Sequence, residues 1–145
     1  MGRILAICIS ERRGTPKQPV ASARLRAGWG LEGDVHAGHW HRQVSLLPAE
    51  QVAAFQARGA AVEAGAFGEN LVVEGFDLKS LPIGTRFRCG NAVLELTQVG
   101  KECHSHCAIY QVMGECIMPR EGVFAQVLRG GTISLGDAFT VIEEE

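Results

Sequence analysis

The residues richest in chemistry fall in one run, KECHSHCAIYQVMGECIMPR, at positions 101–120. It holds Cys103, Cys107 and Cys116, three of the chain's five cysteines, together with His104 and His106. A thiolate is both a nucleophile and a soft metal ligand, and a neighbouring cation favours its formation. Lys101, two residues before Cys103, is such a cation, which makes Cys103 the first candidate for a reacting thiol. Cys107 lies four residues further on, a spacing that on a helix puts both sulfurs on one face. It reads either as a resolving partner for Cys103 or as a second metal ligand, and Cys116 as a third ligand or a structural thiol. With a histidine as fourth ligand the set could bind zinc, although C-x3-C-x8-C is looser than the spacing of structural zinc sites. Cys8 and Cys89 sit in apolar strand patterns and read as core residues.

A second constellation lies in the N-terminal third. The segment 33–43, GDVHAGHWHRQ, carries Asp34, His36, His39, His41, Arg42 and Gln43. Three histidines in six residues could ligate a metal, but in a loop they more often hydrogen-bond an anion or backbone. With Lys17, Arg24 and Arg42 they could form a cationic lining suited to a phosphate. The alternative is that Asp34 and His36 simply fix the loop by capping its backbone groups. Glu69 and Asn70 in GAFGEN could bond a heterocycle or hold a glycine turn. Arg120, after Pro119, reads as an anion contact or a solvated side chain.

These residues need a scaffold. At 145 residues, 46% apolar and 21% charged, the chain is one domain with a core of its own. A formal charge of −2 argues against general nucleic-acid binding. No run approaches the roughly 20 apolar residues that span a bilayer, and no leader pattern opens the chain. Five cysteines without such a leader fit a reducing cytoplasm. Strands are expected at Arg3–Ile9, Gln43–Leu47, Asn70–Val73, Thr85–Cys89, Ala92–Val99 and Ala138–Ile142, with a loop over Ser10–Pro19. Pro48–Arg58 reads as the clearest helix, with Val52, Phe55 and Ala49 on one face and Gly59 as its stop. A short helix is expected over 104–114. Gly122–Leu128 and Thr132–Leu135 read as a hairpin closed by Arg129–Gly130–Gly131. Many short strands, glycine turns and one or two helices indicate a mainly β, barrel-like fold of mostly antiparallel strands.

Taken together the motifs resemble the MOSC family, the domain found at the C-terminus of molybdenum cofactor sulfurases and as small stand-alone bacterial proteins. The resemblance runs from Lys17, Pro19 and Val20 through GLEGDVHAGHWHRQVSLL (30–47), GAFGENLVVEG (65–75), LPIGTRFRCGNAVLELTQVGKEC (81–103) and GVFAQVLRGGTISLGD (122–137). It implies a β-barrel, a sulfur-carrying or molybdenum-ligating cysteine at Cys103, and a pterin and phosphate pocket lined by GDVHAG, HRQV and GEN. It also implies the molybdenum cofactor as ligand and a molybdoenzyme as sulfur acceptor. Nothing in the chain suggests a pyridoxal phosphate site, so a desulfurase making the persulfide would be a separate partner. The alternatives are a molybdenum-cofactor-dependent reductase of N-hydroxylated compounds and a non-catalytic Cys/His metal module. Cys107 and Cys116 are departures from the family pattern.

Overall fold

A computed structural model describes residues 2–11, 17–59, 65, 67–100 and 122–142. Among these described residues, eleven strands and one α-helix succeed one another: β1 (Gly2–Ile9), β2 (Gln18–Val20), β3 (Ser22–Arg26), β4 (Gly30–Leu31), β5 (Val44–Pro48), α1 (Ala49–Ala57), β6 (Leu71–Glu74), β7 (Arg86–Cys89), β8 (Ala92–Val99), β9 (Val123–Arg129), β10 (Gly131–Ser134) and β11 (Ala138–Ile142). Seven of the strands close a barrel in the order β11-β7-β8-β9-β5-β6-β1, the ring being completed by β1 against β11 at Gly2↔Phe139 and Arg3↔Ala138. Closure removes the exposed sheet edges that would otherwise invite pairing with another chain. Strand β2 adds to the outside edge of β1, and β10, β3 and β4 form a separate three-stranded sheet.

The barrel is antiparallel except at β5–β6. Those two strands are joined through α1, and a crossover helix is what a parallel neighbour requires. The arrangement explains why every residue of β5 is buried. Val44 and Leu46 join Ile4, Ile7, Leu71, Phe87, Leu94, Leu96 and Phe139 in the barrel interior. Leu47 faces outward into a second cluster with Val52 and Phe55 of α1, Phe67, Val72 and Phe124. The helix starts after Pro48, has Glu50 in its first turn, and is followed by Gly59 at φ +103°. The carboxylate of Glu50 accepts the Gly75 N–H at 2.8 Å, which ties the start of α1 to the end of β6. Among the described residues no helix is long and apolar enough to cross a membrane.

Two expectations need correction, and two strands went unannounced. Residues 18 and 19, read as loop, belong to β2, whose partner on β1 supplies backbone hydrogen bonds that a local pattern does not announce. The short strands β3 and β4 gave no periodic signal and exist only through pairing with β10 and each other. The hairpin of 122–135 does not form: β9 pairs with β8 and β5, whereas β10 pairs with β3. Gly130 and Gly131 serve close packing rather than a turn. A Cβ on Gly130 would stand 2.6 Å from the Leu25 carbonyl oxygen, and one on Gly131 3.1 Å from the Asn91 backbone. The helix expected over 104–114 lies outside the described residues.

Candidate functional site

The loop before β5 is held by one buried ion pair. The Lys17 ammonium lies 2.7 Å from Asp34 Oδ1, with the two side chains 1% and 0% exposed. Asp34 also accepts the Ser10 N–H at 3.0 Å and the His36 N–H at 3.2 Å. Buried charge is tolerable only when paired and hydrogen-bonded, and here the carboxylate has three donors. Lys17 makes a second contact, 2.9 Å to His36 Nδ1. An ammonium has no lone pair, so Nδ1 must be the acceptor and the imidazole proton sits on Nε2. Lys17 therefore faces inward, committed to Asp34 and His36, rather than outward along a cationic surface.

The GEN turn is built the same way. Glu69, fully buried, accepts the Gly65 N–H at 2.8 Å and the Phe67 N–H at 3.0 Å. Burial pushes its carboxyl above the ordinary value, opposed by the backbone N–H bonds and the Lys17 charge. Gly65 is required where it stands: its φ is +93°, and a Cβ would lie 1.9 Å from the Lys17 carbonyl oxygen. Asn70, 1% exposed, stitches three strands together. Its Oδ1 accepts the Ser45 N–H at 2.9 Å, and its Nδ2 donates to the Cys8 carbonyl at 3.1 Å. Gln43 Oε1 likewise accepts the Val127 N–H at 2.9 Å. Asp34, Gln43, Glu69 and Asn70 thus give side-chain oxygens to the protein's own backbone donors.

The groups nearer the surface come from the second half of the loop. The Arg42 guanidinium lies over the Trp40 ring at 4.9 Å and the Phe124 ring at 5.4 Å. Its Nε is buried and without a hydrogen-bond partner among the described residues. His41 Nε2 contacts Gln98 Oε1 at 2.7 Å, and the His41 carbonyl accepts from the Thr97 hydroxyl. His39 Nδ1 is 2.9 Å from the Gly28 carbonyl, while Trp40 donates to the His36 carbonyl. The three histidines diverge to separate partners. Among the described residues no group of three or more His, Cys, Asp or Glu side chains is placed to hold a metal ion. Arg24, 70% exposed on β3, approaches Glu32 at 3.9 Å and is not part of this loop's network.

Thr97 and Gln98 carry no motif in the sequence. They occupy an irregularity of the β8–β9 ladder, where the register shifts between Leu96 and Gln98. A bulge re-aims side chains out of the strict alternation, and only the pairing register reveals it. At this end of the barrel Gly100 N donates to the Gly122 carbonyl at 2.7 Å, so the chain leaves and re-enters the described structure at adjacent points. Between them lie Lys101, Cys103, Cys107, Cys116 and Arg120, which fall outside the described residues. Cys8 and Cys89 are fully buried with thiols pushed up to about 12 by desolvation, as core residues rather than nucleophiles.

The fold has counterparts among solved structures. The YuaD protein from Bacillus subtilis matches over 100% of this chain and 98% of its own, at 19% identity and a TM-score of 0.79. YiiM from Geobacillus stearothermophilus matches over 99% of this chain and 76% of its own, at 20% identity and a TM-score of 0.74. YiiM from Escherichia coli gives 99% and 71%, at 23% identity and a TM-score of 0.66. No curated protein matches the sequence. The family model for the MOSC domain matches residues 33–140, a span from the start of the GDVHAG loop into the last barrel strand. The chain belongs to the MOSC domain family.

Proposed function

We propose that this MOSC protein binds the molybdenum cofactor at the loop ending in Arg42 and carries sulfur to it, or to a molybdoenzyme, as a persulfide on Cys103. The observation that supports the reading is Arg42. Its guanidinium is held against two aromatic faces, and its buried Nε donor has no partner among the described residues. A buried donor without an acceptor costs free energy, and an anionic oxygen would satisfy it. The donor set therefore fits a phosphate or pterin oxygen. Arg42 would hold that oxygen, while the Lys17–Asp34 pair fixes the loop that carries it and orients His36. Bound there, the cofactor would supply an electron-rich metal centre to accept sulfur.

The chain's own part is thiol chemistry. The Cys103 thiolate attacks the outer sulfur of a donor persulfide; a new S–S bond forms and the donor leaves as its thiolate. Lys101 favours the attacking anion. A separate pyridoxal-phosphate-dependent desulfurase would provide the donor.

Incubation with a persulfide donor followed by mass spectrometry should show one added sulfur, lost in Cys103→Ala. Persistence of the adduct in that variant sinks the assignment. Pterin and molybdenum analysis of protein incubated with cofactor should show retention that falls by about tenfold or more in Arg42→Met, since a charge-assisted bond contributes ~1.5–3 kcal/mol. Equal retention in both proteins would remove Arg42 from the site.

A further inference from the structure

We propose that Thr97 and Gln98, at the irregularity of the β8–β9 ladder, are positioning residues that confine Arg42 where it can meet an anion. Both act on the residue just before it. The Thr97 hydroxyl donates to the His41 carbonyl and also lies 3.1 Å from the Phe124 carbonyl. The Gln98 Nε2 donates to the Gly100 carbonyl at 2.7 Å, which orients the amide because a carbonyl only accepts. Its Oε1 therefore faces His41 Nε2, 2.7 Å away, and the imidazole is the donor. A regular strand would send residues 97 and 98 to opposite faces of the sheet. The register shift between Leu96 and Gln98 lets two successive side chains hold His41, one by its carbonyl and one by its ring.

Arg42 itself rests on the same strand pair. Gln98 is the ladder partner of Phe124, whose ring centroid lies 5.4 Å from the Arg42 guanidinium. The Trp40 ring, 4.9 Å from that guanidinium, meets the His41 ring edge-on with centroids 6.0 Å apart. Trp40 is fixed in turn by its N–H bond to the His36 carbonyl. The residue preceding Arg42 and both rings beside its guanidinium are therefore held, while its buried Nε keeps a donor without a partner among the described residues. An unconfined arginine loses rotamer freedom when it binds, and one already confined loses less. Residues that touch no ligand can raise affinity in this way. The inference rests on reading Arg42 as the anion contact.

The test uses the full-length protein carrying Trp29→Phe, which removes one of the chain's two tryptophans and leaves Trp40 as the reporter beside Arg42. Inorganic phosphate is the probe, titrated by Trp40 fluorescence, and nitrogen NMR follows solvent exchange of the Arg42 Nε–H. Thr97→Val and Gln98→Leu should each weaken phosphate binding by about threefold or more and quicken that exchange, as loss of one hydrogen bond predicts. Thr97→Ser retains the hydroxyl and should behave as the parent protein. His41→Phe keeps a ring beside Trp40 but removes the donor to Gln98. It should act in the same direction as Gln98→Leu, and the two together should do no more than Gln98→Leu alone. Additive effects of that pair overturn the proposal. So does a lowered melting temperature with phosphate affinity and Arg42 exchange unchanged, which is the result expected of purely structural residues. If the parent binds no phosphate while Arg42 exchange responds to both variants, the reading of Arg42 as an anion contact falls and its positioning by Thr97 and Gln98 stands.

Discussion

Replacing Lys17 with methionine keeps most of the side chain's unbranched apolar stem but leaves Asp34 as a buried carboxylate without its counter-charge. The pair is 2.7 Å apart and both side chains are at most 1% exposed, so water cannot compensate. Breaking a buried pair by removing one partner costs about 3–5 kcal/mol, against ~0–1 kcal/mol for an exposed one. At roughly 2–4 °C per kcal/mol for a chain of this length, the melting temperature should fall by about 10 °C. The double variant Lys17→Met/Asp34→Asn buries no charge. The amide oxygen it introduces replaces the acceptor for the Ser10 N–H, while the His36 N–H bond and the Lys17 contact to His36 Nδ1 are lost. It should cost about 1–2 kcal/mol, less than the single lysine variant. Equilibrium urea denaturation of the four proteins measures this as a double-mutant cycle. If Lys17→Met costs under ~1 kcal/mol, or the double variant falls by the sum of the singles, the account of the loop as resting on this pair is wrong. The same pair sets the His36 tautomer. Nitrogen NMR should place the proton on Nε2 in the native protein, with that preference lost in Lys17→Met.

Thiol reagents acting on the native protein should reach at most three of the five cysteines, because Cys8 and Cys89 are buried with thiols pushed up to about 12. All five should react in denaturant, and fast native labelling of either core cysteine would contradict the packing. Glu69 carries a pH signature. Its carboxyl is raised above 4.5 by burial, so the folded chain holds that proton more tightly than the unfolded chain. This contribution to stability is full below about 4.5 and is lost as pH rises through the folded value. Glu69→Gln loses an acceptor for one of two buried N–H groups, about 1–3 kcal/mol, and also loses the slope. The stability difference between native protein and variant should therefore shrink with rising pH; a growing difference would refute the assignment. Gly130→Ala drives a methyl to 2.6 Å from the Leu25 carbonyl oxygen and should cost about 1–3 kcal/mol. An unchanged denaturation midpoint would show that β3 and β9 have room to part.

Much of the frame was legible from local pattern. Ala92–Val99 forms the strand its alternation announces, with Ala92, Leu94 and Leu96 buried inside the barrel. The helix after Pro48 is explained by proline, early glutamate and a closing glycine. Cys8 and Cys89 were identifiable as core residues because an apolar strand context buries a thiol. These features depend on neighbours a few positions away, which one sequence displays directly.

The site depended on contacts across the chain. Lys17 and Arg24 look alike in sequence as candidate anion ligands. Folding buries one against Asp34, 17 residues on, and leaves the other 70% exposed beside Glu32. Gln43, Glu69 and Asn70 suggest ligand contacts by residue type, yet each gives an oxygen to a backbone N–H that the barrel would otherwise bury unpaired. The glycine pair at 130–131 signals a turn by composition and is instead set by how closely the chain passes β3 at Gly130 and the Asn91–Ala92 backbone at Gly131. Gln98 has no signal of its own, because its contact with His41 arises at a register shift between two strands. Sequence by itself determined most of the barrel strands, the helix after Pro48, the core cysteines and the family resemblance, since each rests on local periodicity or on motif order. Tertiary structure alone decided which polar groups are consumed in holding the loop and which, like Arg42 Nε, are left without a partner among the described residues, because that depends on which donors and acceptors folding brings within about 3 Å of one another.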